Sequence, residues 1–118
     1  MNESINTIIE WHKQTFPDAT LEGQVKKFKE EYDEYYAGQQ NICELADMYI
    51  VACGIARFDS VVALEFFAIV YQIMQDLTVI GAIYVFKEMI DEKMKKNRKR
   101  IWNKTGNGTY HHKNGIED

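Results

Sequence analysis

Two acidic patterns hold most of the chemistry that this sequence could perform: Glu30-Glu31-x-x-Glu34, followed after nine residues by Glu44-x-x-Asp47. Residues three apart on a helix share a face. If the chain turns near Gly38 and Gln39, Glu34 and Glu44 stand at one level of an antiparallel hairpin, and Glu31 and Asp47 at the next. Carboxylates gathered in this way repel one another and lose hydration when partly buried. A divalent cation reverses the sign of both effects. All-oxygen donors suit hard ions, Mg²⁺ foremost with Mn²⁺ as a substitute, and Mg²⁺ commonly joins a few carboxylates to the phosphates of a substrate. Glu31, Glu34, Glu44 and Asp47 are therefore the candidate metal ligands.

Each acidic group also has an ordinary explanation. An acidic triplet on a helix is most often a solvated face, and Glu44 can serve simply in a helix cap. Asp47 is harder to dismiss, because it falls in the middle of a strongly apolar stretch, where an unpaired charge is costly. Rotation about the helix axis ranks the first group: at ~100° per residue, Glu31 lies about 60° from Phe28, Glu34 about 120° and Glu30 about 160°. Glu31 and Glu34 thus face partly inward. Glu30 is peripheral, suited to a second metal or to orienting an attacking water, and the water-activating role falls to Glu30 or Glu31.

A second candidate face carries the opposite charge. Lys93, Asn97 and Arg100 recur at i, i+4 and i+7, which places cationic and amide donors for phosphate on one side of a helix. The bland alternative is a basic helix end that complements the macrodipole. Residues 1 to 76 hold thirteen acidic against five basic groups, whereas residues 87 to 113 hold nine basic against three acidic. Trp11 and His12, with the tyrosines of the second helix, are candidates to line an apolar slot that reads a base. Aromatic residues at such spacing are more commonly core.

These groups need helices to position them, and the sequence supplies the signals. A first helix is expected from Ser4 to Thr15, with Ile5, Ile8, Ile9 and His12 on one side and a stop before Pro17. Thr20 caps a second over 21 to 37, whose apolar stripe is Leu21, Val25, Phe28, Tyr32, Tyr35 and Tyr36. Asn41 caps a third to Arg57, with Glu44 completing a capping box. That third helix is apolar nearly all round, the mark of a buried helix. Asp59 or Ser60 caps a fourth to Gln75, and a fifth runs from Thr78 to Arg100.

The 118 residues, 46% apolar with one Pro and seven Gly, fit one all-α domain. A helical domain over 1–102 and an irregular tail over 103–118 are expected. Cys43 and Cys53 lack the spacing of a zinc site and read as core thiols. Residues 61 to 86 are apolar, yet Glu65, Gln72, Gln75 and Asp76 interrupt them before the roughly 20 residues of a membrane span. Buried helices account for them better. With no leader signature at the amino terminus, a cytoplasmic protein is expected, or one of the host cytoplasm if phage-encoded. The negative net charge and the lack of a reading motif argue against a nucleic-acid partner.

On these residues the chain resembles the MazG-like all-alpha nucleoside triphosphate pyrophosphohydrolases, whose signature is EExxE followed by ExxD on the next helix. Further matches resemble the dATP/dGTP diphosphohydrolase branch: Trp11, Thr15-Phe16-Pro17, Ala19-Thr20-Leu21-Glu22, Lys93-Met94 with Asn97, Arg100 and Trp102, and Asn107 through His112. Asn107 stands where that branch often has aspartate, and the nine residues between Glu34 and Glu44 are fewer than the general pattern has. Only residues 59 to 86 look generic. The resemblance implies a four- to five-helix bundle, and the excess apolar surface of residues 61 to 86 in so small a domain points to assembly through them as a homodimer or homotetramer. It also implies Mg²⁺-dependent hydrolysis of a purine (d)NTP between the α and β phosphates, giving (d)NMP and pyrophosphate. A non-catalytic oligomeric module with an acidic patch is the competing reading; a di-iron bundle lacks its Glu-x-x-His pairs.

Overall fold

The computed structural model describes residues 2–77, 81–100, 102–104 and 110–112. Five helices form the body: α1 (Ile5–Thr15), α2 (Leu21–Ala37), α3 (Ile42–Phe58), α4 (Ser60–Asp76) and α5 (Ala82–Lys99). A short β1 (Trp102–Lys104) and β2 (Tyr110–His112) follow.

Local signals fix where these helices begin. The Ser4 Oγ accepts from the Thr7 N–H at 3.1 Å while the Thr7 hydroxyl accepts from the Ser4 N–H at 2.8 Å, a complete capping box. Thr20 Oγ1 caps α2 through the Gly23 N–H, and Asn41 Oδ1 caps α3 through the Glu44 N–H. Asp59 Oδ1 accepts from both Val61 and Val62. Each such cap contributes about 1 kcal/mol. The fifth helix starts later than its pattern suggests: Gly81, at φ 83°, precedes Ala82, and residues 78–80 lie outside the described residues. A left-handed φ favours glycine.

The all-round apolar third helix is the axis of the fold. Each of α1, α2, α4 and α5 packs on α3. Leu45, Ala46, Met48, Ala52, Cys53 and Ile55 are fully enclosed there, with Ile8, Phe28, Val70, Ile90 and Met94 packed around them from the other four helices. Because α3 is surrounded, any polar group on it must find a partner or a cavity.

Several side chains sit elsewhere than their spacing suggests. Phe28 and Tyr35 are buried on α2, but Tyr32 and Tyr36 at the end of the expected stripe are exposed. Cys53 is a core thiol and Cys43 is not: it lies in the first turn of α3, exposed, with its Sγ 3.3 Å from Met89 Sδ. The apolar segment 61–86 is only half covered. Ala63, Phe67, Val70 and Ile73 face the core from α4, while Val61, Leu64 and Tyr71 with Ile83 and Tyr84 face outward. Among the described residues no helix is long and apolar enough to cross a membrane.

The tail also differs. Trp102–Lys104 pairs antiparallel with Tyr110–His112, so the expected division after Trp102 falls inside β1 rather than between elements. The physical cause lies at its first residue. The Trp102 indole N–H donates to the Asn97 carbonyl at 3.2 Å and its ring meets Phe16 edge-on at 5.0 Å, which draws the strand onto the bundle.

Candidate active site

One cavity of about 290 Å³ opens between α1, α2, α3, α5 and the start of β1. Helix α2 contributes Gln24, Lys27, Glu31 and Glu34, a polar ladder at i, i+3, i+7 and i+10. Facing it, α3 contributes Asp47, Ile50 and Val51, and the end of α5 contributes Lys93, Asn97 and Arg100. Trp11, His12, Phe16 and Trp102 close the far end. The cavity therefore has an acidic end, a basic flank and an aromatic end.

At the acidic end, Glu31 and Asp47 face one another across the α2/α3 hairpin. Burial pushes the Glu31 carboxyl up to about 7, and the charges of Asp47 and Glu34 add to that rise. Asp47 is raised as well, by burial first, with Lys93 opposing. Two lysines answer part of this charge: Lys27 Nζ is 3.7 Å from Glu31 Oε1, and Lys93 Nζ is 3.3 Å from Asp47 Oδ2. Glu34 is an exposed residue and forms the rim.

Of the five expected carboxylates, Glu31, Glu34 and Asp47 line the cavity. Glu44 does not line the cavity: it occupies the first turn of α3, with its carboxylate beside Gly38 at the hairpin turn and its buried Oε2 without a hydrogen-bond partner. The level pairing Glu31 with Asp47 is thus formed, and Glu44 is directed back to the turn instead of across to the cavity. Glu30 is exposed and outside the lining, as its 160° rotation from the core stripe entails. Among the described residues, no three His, Cys, Asp or Glu side chains gather closely enough to hold a metal ion in common.

The phosphate candidates Lys93, Asn97 and Arg100 all reach the cavity, as do Trp11 and His12. Arg100 Nη1 donates to Asn97 Oδ1 at 3.0 Å, and its guanidinium lies 5.8 Å from the centre of the Trp102 ring. The asparagine NH₂ in turn donates to Met94 Sδ at 3.9 Å, which leaves one N–H and one carbonyl lone pair for the cavity. Trp11 meets Phe16 edge-on at 5.2 Å and Trp102 at 6.2 Å. His12 is buried, and its imidazole is pushed down to about 4 by burial, with the Arg57 charge acting in the same sense and a hydrogen bond to Gln24 opposing.

Gln24 and Lys27 belong to the site although the carboxylate pattern does not single them out. The signal was available: both fall on the helical face that continues back from Glu31 and Glu34. Phe16 and Trp102 carry no comparable signal, because they enter from the ends of other elements. No family model matches the chain, and neither a curated protein nor a solved structure matches it.

Proposed function

We propose that the chain is a Mg²⁺-dependent nucleoside triphosphate pyrophosphohydrolase, similar to the MazG-like enzymes, that converts a (d)NTP, of the purine class by its resemblance, into (d)NMP and pyrophosphate. The observation that carries this reading is the division of one cavity into carboxylates, phosphate-binding donors and an aromatic end, in the order that metal, polyphosphate and base require. A cavity of about 290 Å³ is near the lower bound for small-molecule sites, which suits a base and sugar inside with the phosphates toward the rim.

The donor set fits Mg²⁺. Its members offer only carboxylate oxygen, and the adverse charge between Glu31 and Asp47 is of the kind that a dication relieves. Mg²⁺ commonly uses one or two protein carboxylates and takes its other ligands from water and phosphates, so a three-residue cage is not required. Glu31 and Asp47 would hold the ion, with Glu34 at the rim. When bound, Mg²⁺ supplies Lewis-acid activation and neutralises charge on the phosphates.

The protein's own groups do the rest. Lys93 and Lys27, which neutralise carboxylates here, are long enough to turn toward phosphate, and Asn97 and Arg100 offer further donors. Water adds to a phosphorus beside the α–β bridging oxygen, the bridge breaks, and the proton of the water is taken up by a base. Of Glu30 and Glu31 only the latter lines the cavity, so Glu31 aligns the water or takes its proton through the carboxylate oxygen that does not hold the ion.

Self-association through the outward face of α4 and the start of α5 belongs to the same proposal, supported by Val61, Leu64 and Tyr84 at 74%, 65% and 71% exposure. The test of the activity is a panel of the common dNTPs and NTPs incubated with the whole protein, with Mg²⁺ or with EDTA, monitoring pyrophosphate. Mg²⁺-dependent release that disappears in Asp47→Asn is expected. No turnover of any triphosphate at high protein concentration would overturn the reading in favour of a non-catalytic module.

A further inference from the structure

The aromatic end of the cavity contains a hydrogen-bond chain whose direction is set from outside the cavity. Arg57 Nη1 lies 3.0 Å from His12 Nδ1 and donates to the Phe16 carbonyl at 2.8 Å. A guanidinium has no acceptor. His12 Nδ1 must therefore accept, which places the imidazole proton on Nε2. That N–H needs an acceptor, and the Gln24 carbonyl is the group at hand: the Gln24 side chain acts to raise the His12 pKa, the sense expected of a group that accepts from the imidazole. The geometry around Gly54 agrees in its placement: a Cβ there would stand 2.8 Å from both His12 Nε2 and Gln24 Oε1, so both of these atoms, and not the Gln24 NH₂, lie against the bare α3 backbone. With Oε1 committed to His12, the group that Gln24 offers to the cavity is its NH₂, a pure donor.

We infer that Arg57, acting through His12, holds Gln24 as a hydrogen-bond donor that selects a base bearing an exocyclic carbonyl over one bearing an amino group at the same position. The inference rests on the nucleotide reading of the cavity. It assigns Gln24 as the residue that touches the base and Arg57 and His12 as positioning residues. An amino group opposite Gln24 would set donor against donor and leave both buried and unpaired, whereas a carbonyl accepts. The preference is for 6-oxopurines over adenine and for 4-oxopyrimidines over cytosine. Because His12 remains neutral down to about pH 4, the direction of the chain does not change across the physiological range.

The test compares binding of IMP with AMP and of UMP with CMP to the whole protein by calorimetry in Mg²⁺, since each pair differs only at this edge. At least tenfold tighter binding of the oxo member is expected in both pairs. Equal binding, or preference for the amino member, overturns the inference while leaving nucleotide binding intact; binding of none of the four overturns it together with the nucleotide reading. Gln24→Glu keeps an oxygen for His12 and replaces the donor by an acceptor, so the order should reverse or vanish. Should that variant not fold, ¹⁵N NMR of the His12 imidazole in the parent decides the premise. A proton on Nε2 with an unprotonated Nδ1 is expected, and a proton on Nδ1 refutes the chain. In Arg57→Gln the IMP/AMP ratio should fall toward one together with a shift of the His12 proton from Nε2 toward Nδ1 in the ¹⁵N spectrum, a change of tautomer that loss of packing alone does not dictate.

Discussion

Replacing Glu31 by glutamine should make the metal-free protein more stable above neutral pH while abolishing the proposed activity. The Glu31 carboxyl is raised from its ordinary 4.5 to about 7 in the folded state. A raised acid binds its proton more tightly when folded, so its contribution to stability is fully present below about pH 4.5 and is lost as the pH climbs through 7. At about 1.4 kcal/mol per pH unit, that rise sets a ceiling of about 3.5 kcal/mol on the cost of ionised Glu31 at pH 8. Urea unfolding of parent and Glu31→Gln in EDTA, at pH 5 and pH 8, measures the difference. The parent should lose about 2 kcal/mol more than the variant between the two pH values. Added Mg²⁺ should return stability to the parent at pH 8, by about 2.7 kcal/mol at a hundredfold excess over its Kd, and return less to the variant. Equal pH dependence of the two proteins would refute the argument that burial and neighbouring charge strain this carboxyl.

Gly54→Ala places a methyl 2.8 Å from His12 Nε2 and Gln24 Oε1, so it should destabilise by about 1–2 kcal/mol despite the better helix propensity of alanine, and should raise KM by disturbing the aromatic end; thermal unfolding and steady-state kinetics check both. Lys93→Ala strips Asp47 of its 3.3 Å partner, pushing that carboxyl further up and lowering kcat/KM by at least tenfold, read from pyrophosphate release. Asp59→Ala removes the carboxylate oxygen that accepts from two N–H groups at the start of α4 and should cost about 1 kcal/mol with the proposed activity per folded molecule unchanged, as urea unfolding and a matched assay will show. Leu64→Glu on the outward face of α4 should change folding stability by less than about 0.5 kcal/mol yet shift the sedimenting mass to that of the 13.8 kDa monomer; a parent that already sediments as a monomer removes the self-association proposal.

What the sequence determined by itself are the features that depend on near neighbours. Ser4, Thr20, Asn41 and Asp59 announce helix starts because each caps an N–H two or three residues ahead. The apolar circumference of α3 marks it as the buried axis, and the three-residue spacing aligns Glu31 with Glu34 and Lys93 with Asn97 and Arg100 on their helices. Tertiary structure decided which of these faces meet. Glu44, one turn before Asp47 and equivalent to it by spacing, turns to Gly38 and leaves the cavity, because the position of a first-turn side chain depends on how the hairpin closes. The Lys93 that pairs with Asp47, the Trp102 ring that seals the aromatic end, and the Arg57-to-His12 contact join residues by packing. That last contact spans 45 positions of the chain, a separation over which no helical period carries information.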